Sequence, residues 1–272
     1  MMKKLVSAPY LLWMAIFIIV PLIMVAYFAL TDTNGAFTLD NLAAVSQYSN
    51  IFIRSIWLAT VATVICFIIA YPLALILANT DKSYQSTVLM IVMLPMWMNF
   101  LLRTYAWMTL LGNNGLINSF FGLFGLGPFK MLNTSGAVVL GMVYNFLPFM
   151  VLPIFNSLSK MDSDLINAAR DLGANSFQVF TKVIFPLSLP GVVSGITMVF
   201  MPAVTTFAIS RLLGGGKFML IGDLIEQQFT VVGDWNFGSA VSIFMMIIIL
   251  ISMAVMSRFE DESDKEGGGL LF

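Results

Sequence analysis

Arg103 is the only ionised side chain inside the apolar runs of this sequence, which makes it the first candidate for chemistry. An arginine within a membrane-spanning segment is a functional hypothesis by default, although near an interface its long side chain can snorkel to water. In a single helix beginning at Val88, Arg103 lies about 22 Å along the axis at ~1.5 Å per residue. That depth favours a structural ion pair, with a loop carboxylate such as Asp234 or with a partner chain, over contact with a substrate. Just before it, L-P-M-W-M-N-F puts Pro95, Trp97 and Asn99 near mid-membrane. A kink, an aromatic face and an amide at one depth can meet a passing cation, since indole attracts ammonium groups. Tyr144, in a later apolar run, completes the candidate lining set of Trp97, Asn99, Arg103 and Tyr144. Ordinary helix packing is the other reading of these residues.

The remaining chemistry is mostly exclusion. The chain has no His, the commonest metal ligand and general base. The lone Cys66 sits in an apolar run, which predicts an inert thiol and no disulfide within the chain. No HExxH, CxxC or Gly-x-Ser-x-Gly pattern occurs, and G-G-G-K-F at Gly214 to Phe218 lacks the spacing and the Ser/Thr of a phosphate-binding loop. We therefore expect a non-catalytic chain that holds no metal and binds no cofactor or ATP itself. Asp223, Glu226 and Asp234, in the loop before the last apolar run, are candidate cation contacts; solvated loop charges are the blander reading.

The elements that must position these residues are membrane helices. Of 272 residues, 59% are hydrophobic and 10% charged, a balance that suits a helix bundle in lipid and no soluble domain of this size. A net charge of −1 without a basic tract argues against nucleic acid. Six spans are expected: Tyr10 to Leu30 (a retained span, with no small-x-small cleavage site), Ile56 to Ala78, Val88 to Leu111, Gly136 to Phe155, Leu187 to Ile209, and Phe237 to Ser257. This divides the chain into an N-terminal span with its outer loop (1–54), a core (55–257) and an acidic, disordered tail (258–272). The segment Gly112 to Ser135 reads as a loop or re-entrant region whose apolar part lies in the interface. Eight of the ten prolines fall in or at the ends of spans, as expected where helices bend around a wet pathway. Gly191 and Gly195 form a Gly-x-x-x-Gly pair that predicts close helix–helix contact.

One polar interruption looks structured. Lys160 to Pro186 carries Leu165, Ala168, Ala169 and Leu172 at helical spacing, with Asp162 or Ser163 as a start and Gly173 as a left-handed stop. A second short helix begins at Asn175 or Ser176, carries Phe177, Phe180 and Ile184, and is expected to stop near Pro186. Two capped helices with exposed apolar stripes make a docking plug for another protein. Six spans place both termini on one side. Eight Lys and Arg fall on that side with the plug and four on the other, which makes it the cytoplasmic side.

N-A-A-R-D-L-G, followed nine residues later by V-I-F-P, resembles the signature of ABC-importer permeases, Glu-Ala-Ala-x-x-x-Gly-(x)9-Ile-x-Leu-Pro. Ala168, Ala169, Gly173 and Pro186 match it, while Asn167 stands where that family usually has Glu. F-T-L-D-N, L-P-M-W-M-N-F-L-L-R-T-Y, N-F-L-P-F-M-V-L-P and L-L-G-G-G-K-F-M-L-I-G-D-L-I are similar, more narrowly, to the first permease of spermidine/putrescine importers. The resemblance implies an all-α, six-helix type I importer permease fold with a cytoplasmic coupling helix pair (162–184), in a bacterial inner membrane. It also implies a heterodimer with a second permease, two cytoplasmic ATPase subunits that hold ATP and Mg, and an extracytoplasmic polyamine-binding protein. Asn167, Ala168, Ala169, Arg170, Asp171 and Gly173 would then meet the ATPase. A permease for an oxyanion or an iron complex is the alternative within the class. A secondary carrier would need buried ionisable groups for coupling, which the spans lack.

Overall fold

The computed structural model describes residues 12–268, with side chains described to residue 258; Lys3, Lys4 and the expected start of the first span at Tyr10 lie outside the described residues. Helices, turns and one isolated bridge between Thr31 and Phe37 account for the described backbone. Five helices are long and apolar enough to cross a membrane: α1 (Leu12–Ala29), a run from Asp40 to Ala78 comprising α2 (Asp40–Val45) and α3 (Ser49–Ala78), α7 (Ser135–Ser159), a run Ser176–Thr205, and α13 from Trp235.

The third span departs from the single helix expected over Val88 to Leu111. It is α4 (Lys82–Trp97) followed by α5 (Phe100–Leu111) and the short α6 (Leu116–Gly122), bent by 89° at the break. Pro95 removes a helical amide one turn before the break, and Met98 turns extended with ψ 148°. Asn99 then restarts the chain, its Oδ1 accepting from the Leu101 and Leu102 amides at 2.9 and 3.3 Å. The bent segment still counts as one crossing. Tyr71 near the end of α3 meets Ser188 in the run Ser176–Thr205, and Gly191 and Gly195 of that run pack on Pro153 and Met150 near the end of α7, so α3 and α7 run parallel and the chain must return between them. With the bent pair taken as one span there are six crossings.

The fifth span also differs at both ends. The short helix α9 (Ser176–Val179) does not stop at Pro186 but runs through a π turn (Phe180–Ile184) into α10 (Phe185–Thr205). The Phe185 amide reaches back to the Phe180 carbonyl, and this wide turn makes room for a proline ring that has no amide to donate. The same device recurs in α1, where a π turn (Ala15–Ile19) precedes Pro21. The span ends at Thr205 rather than Ile209. Thr206 is extended, and Ala208–Gly214 forms a separate buried helix, α11. Helix α12 (Ile221–Gln227) tucks into this break: Gly222 lies where a Cβ would meet the Thr205 and Thr206 carbonyl oxygens, and the Ile221 amide donates to Ser55 Oγ at 2.9 Å. Ser55 lies within α3, so the expected boundary at residue 55 falls inside a helix.

Helix α7 is the most enclosed span and packs on both α3 and α10. Gly191 and Gly195 make the α10 contact possible. A Cβ on Gly191 would sit 2.6 Å from the Pro153 carbonyl oxygen, and one on Gly195 would sit 2.8 Å from Met150 Sδ. Peripheral α1 packs against α13 (Trp235–Gly268), which continues helically through Gly268 where a disordered tail was expected from residue 258; residues 269–272 lie outside the described residues. Carbonyls freed at the end of α1 are taken up by amide side chains: Asn236 Nδ2 donates to Phe28 O and Thr31 O at 3.0 and 2.6 Å, and Asn41 Nδ2 to Thr31 O at 2.8 Å.

Candidate functional site

The plug between α7 and α10 is built by local rules. Asp162 caps α8 (Ser163–Asp171) by accepting from the Asp164 amide at 2.9 Å. At the other end Gly173 adopts φ +82°. Its amide bonds to Arg170 O at 2.9 Å and that of Ala174 to Ala169 O at 3.1 Å, the paired closure of a Schellman turn. Asn175 opens α9 with a reciprocal capping box, Gln178 N to Asn175 Oδ1 at 2.8 Å and Asn175 N to Gln178 Oε1 at 2.9 Å. No residue of α8 is buried. Leu172 is 89% exposed and Phe177 74% exposed, and Leu165, Ala168 and Leu172 form an outward apolar stripe. Ala169, expected on that stripe, is half-buried and faces inward with Ile166. Asn167, Arg170, Asp171 and Gly173 are all exposed. Bare apolar side chains on a rigid, well-capped hairpin outside the bilayer fit a protein surface.

Beneath the hairpin lies an aromatic socket that the sequence alone did not disclose. Tyr71, buried in α3, meets Phe180 edge-on at 5.8 Å and Phe185 at 5.7 Å, and its hydroxyl is 2.9 Å from Ser188 Oγ in α10. Ser188 spends its own proton on Phe185 O at 2.9 Å, so the phenol donates to it. The only available signal was a phenol hydroxyl in an apolar run, directly before Pro72.

The four candidate lining residues gather around the α4–α5 break but do not share one surface. At ~1.5 Å per residue, α4 is about 24 Å long, which brings Trp97 towards the far boundary of a ~30 Å core rather than to mid-membrane. Trp97 is 79% exposed at the end of α4, and Asn99 is exposed while its Oδ1 serves the cap. Tyr144 is half-buried and packs edge-on against Trp107 of α5, 5.4 Å between centroids. Arg103 is turned inward, 7% exposed, with Nε and Nη1 sealed from solvent and without a hydrogen-bond partner. The expected pair with Asp234 is absent. Asp234 instead accepts from the Phe237 amide at 2.9 Å and starts α13. The bend also removes the straight-helix depth assigned to Arg103.

The outer-loop carboxylates are each committed to neighbours. Asp223 accepts from Ser210 Oγ at 2.6 Å and from the Leu220 amide at 2.9 Å, tying α11 to the start of α12. Burial pushes its carboxyl above the usual 3.8, against the pull of those two hydrogen bonds. Glu226 forms the one ion pair among the described residues, with Arg211 at 2.9 and 3.0 Å, and accepts from Thr230 Oγ1 at 3.2 Å. Among the described residues no cluster of His, Cys, Asp or Glu is arranged to hold a metal.

Similarity to known proteins runs along nearly the whole chain. It is 35% identical over 266 residues to the spermidine/putrescine transport system permease protein PotB of Haemophilus influenzae, covering 94% of this chain and 93% of that protein. It is also 35% identical over 256 residues to PotB of Escherichia coli, with 90% and 93% coverage. The inner membrane ABC transporter permease protein YdcU of Escherichia coli is 30% identical over 237 residues, with 81% and 75% coverage. In fold the chain resembles a subunit of a bacterial ABC transporter that imports the acidic polysaccharide alginate, with a TM-score of 0.80, 17% identity and 94% and 95% coverage. A chain of the MetNI methionine ABC transporter aligns with a TM-score of 0.58, 19% identity and 79% and 95% coverage. Residues 70–262 match the family described as binding-protein-dependent transport system inner membrane component. On both counts, the family match and the length of shared sequence, this chain belongs to the inner membrane components of binding-protein-dependent transport systems.

Proposed function

We propose that this chain is one permease half of an ATP-driven importer of polyamines, spermidine and putrescine. The observation that carries the coupling role is the doubly capped hairpin of α8 and α9, which leaves Leu172 and Phe177 bare outside the spans. The substrate reading rests on the 35% identity, over 94% of the chain, to a relative named for spermidine/putrescine transport. The full assembly has a second, homologous permease, two cytoplasmic ATPase subunits carrying ATP and Mg, and an extracytoplasmic polyamine-binding protein. Both termini and the hairpin face the cytoplasm, in line with the excess of Lys and Arg on that side.

Asn167, Ala168, Arg170, Asp171 and the Gly173 turn form the surface offered to the ATPase, with Ala169 supporting it from beneath. With an amide at Asn167, that contact is uncharged at this position. Closure of the ATPase pair displaces the hairpin. Because α9 passes into α10 without a break, the displacement reaches the fifth span directly, and Tyr71 shares it with α3. At the far side, the C-terminal carbonyls of α4 carry the negative end of a half-helix dipole beside the open Trp97 ring, a surface suited to ammonium groups. Asp223, Glu226 and Asp234 hold the outer loops together, so polyamine selectivity falls mainly to the binding protein. Arg103 receives its counter-charge from the second permease.

Uptake of radiolabelled spermidine and putrescine by proteoliposomes containing the assembled transporter and its binding protein tests the assignment. Saturable, ATP-dependent polyamine uptake is expected. Saturable uptake of an unrelated solute that polyamines do not compete for would overturn it.

A further inference from the structure

After Trp97 the chain bends by 89°, so that Phe100–Gly122 runs nearly perpendicular to α4, and the segment beyond the bend is chemically unusual. From Thr104 to Phe129 there is no Asp, Glu, Lys, Arg or His. This stretch holds α6 and the loop leading to α7, on the side opposite the α8–α9 hairpin, because α7 begins at one and ends at the other. Helix α6 packs on α5 and on no other helix to a comparable extent. Its exposed Leu116 (72% exposed) and Phe120 are joined by Leu123 (82% exposed), Phe124 and Leu126 from the turns that follow it, with the Phe120 and Phe124 rings 5.3 Å apart.

The opposite face is polar and internally tied. Asn118 is 5% exposed, its Nδ2 donating to Gly112 O and Phe129 O at 3.0 Å and its Oδ1 accepting from the Phe129 amide at 2.8 Å. These bonds close the loop on itself, so the apolar face is presented by a pinned element rather than by a loose strand. Asn113 and Asn114 are exposed beside it, and Lys130, exposed and without an ion pair among the described residues, marks the edge of the apolar stretch.

We propose that this α6 hairpin is an interfacial anchor: its Leu and Phe face beds into the phospholipid leaflet opposite the α8–α9 hairpin, with Asn113, Asn114 and Lys130 at headgroup level. Three features select lipid over a soluble protein as the occupant. The segment Phe100–Gly122 runs nearly perpendicular to α4, its exposed side chains from Leu116 to Leu126 are mostly large and apolar, and the one charge at its edge is a lysine suited to a lipid phosphate. The anchor fixes the far end of the broken third span, so α4 and α5 bend about the Trp97–Asn99 break instead of translating.

Site-directed spin labelling of the assembled transporter in phosphatidylethanolamine–phosphatidylglycerol nanodiscs tests this. The lone Cys66 is buried and is first removed as Cys66→Ala. Labels are then placed singly through Leu123→Cys, Leu126→Cys and Asn114→Cys. At Leu123 and Leu126, collisions with oxygen should exceed those with a water-soluble nickel chelate, and the ratio should invert at Asn114. Nickel-dominated collisions at both apolar sites would place the face in water. Low collision rates with both reagents at both sites would mean that a protein partner covers it. Either result overturns the proposal.

Discussion

The Tyr71 hydroxyl donates to Ser188 Oγ across 2.9 Å, with both side chains buried, and so joins α3 to α10 just inside the membrane from the α8–α9 hairpin. The contact sits where a push on the hairpin must enter the bundle. Tyr71→Phe removes the hydrogen bond and keeps the ring contacts with Phe180 and Phe185. It should lower stability by about 1 kcal/mol. It should also lower the number of substrates moved per ATP hydrolysed, because α3 then follows α10 less closely. Parallel assays of ATPase rate and uptake check this; an unchanged ratio would show that the link is structural only.

Gly191 is fixed by space rather than by backbone conformation. Since a Cβ there would sit 2.6 Å from both the Pro153 carbonyl oxygen and Ser157 Cβ, Gly191→Val must push α10 off α7. A loss of about 1–3 kcal/mol is expected. Gly136, whose Cβ would lie no closer than 3.7 Å to its nearest neighbour, should tolerate Ala. Thermal unfolding of the two variants in detergent makes the comparison.

Arg103 Nε and Nη1 are sealed from solvent without an acceptor among the described residues, and in the proposed assembly the second permease supplies the counter-charge. Arg103→Met in the assembled transporter should then strand the partner's group and cost about 3–5 kcal/mol. A complex that unfolds at the same or a higher temperature would mean that no such partner exists.

Asp223 gives a pH signature. Its carboxyl is raised above 3.8, so the folded chain holds that proton more tightly than the unfolded chain. Its contribution is greatest below 3.8, declines as the pH rises from there through the raised folded value, and is level above it. Asp223→Asn keeps an acceptor for the Leu220 amide and removes the titration. The difference between parent and variant unfolding temperatures should therefore fall with rising pH across the acidic range and then flatten. A difference that grew with pH would contradict the burial argument.

What was legible in the sequence was local. Asp162 and Asn175 accept from amides, and Gly173 donates to a carbonyl, each within a few residues, so the two capped helices could be written from residue order alone. The apolar runs were legible because lipid demands length. The third-span break carries a readable signal that the length of the apolar run outweighs: Pro95 ends a helix and Asn99 is a good start for another. Pro186 misleads in the other direction, because a π turn absorbs a proline that an α-helix could not. The outer loops were not legible. Asp223 and Glu226 look solvated until Ser210 and Arg211, more than ten residues away, are folded onto them. Ser55 looks like a boundary residue until Ile221, far along the chain, lands on it.

The central claim is that the exposed face of α8 and its C-cap Leu172 is where the ATPase subunits act, and Leu172→Asp tests it most directly. Leu172 is 89% exposed and supports nothing in this chain, so the substitution should leave folding and membrane abundance unchanged. Co-purification of the ATPase subunits with the membrane complex, measured beside polyamine uptake, gives the answer. Loss of both, with the permease pair still assembled, is the predicted result. Normal ATPase retention and normal uptake would contradict the account.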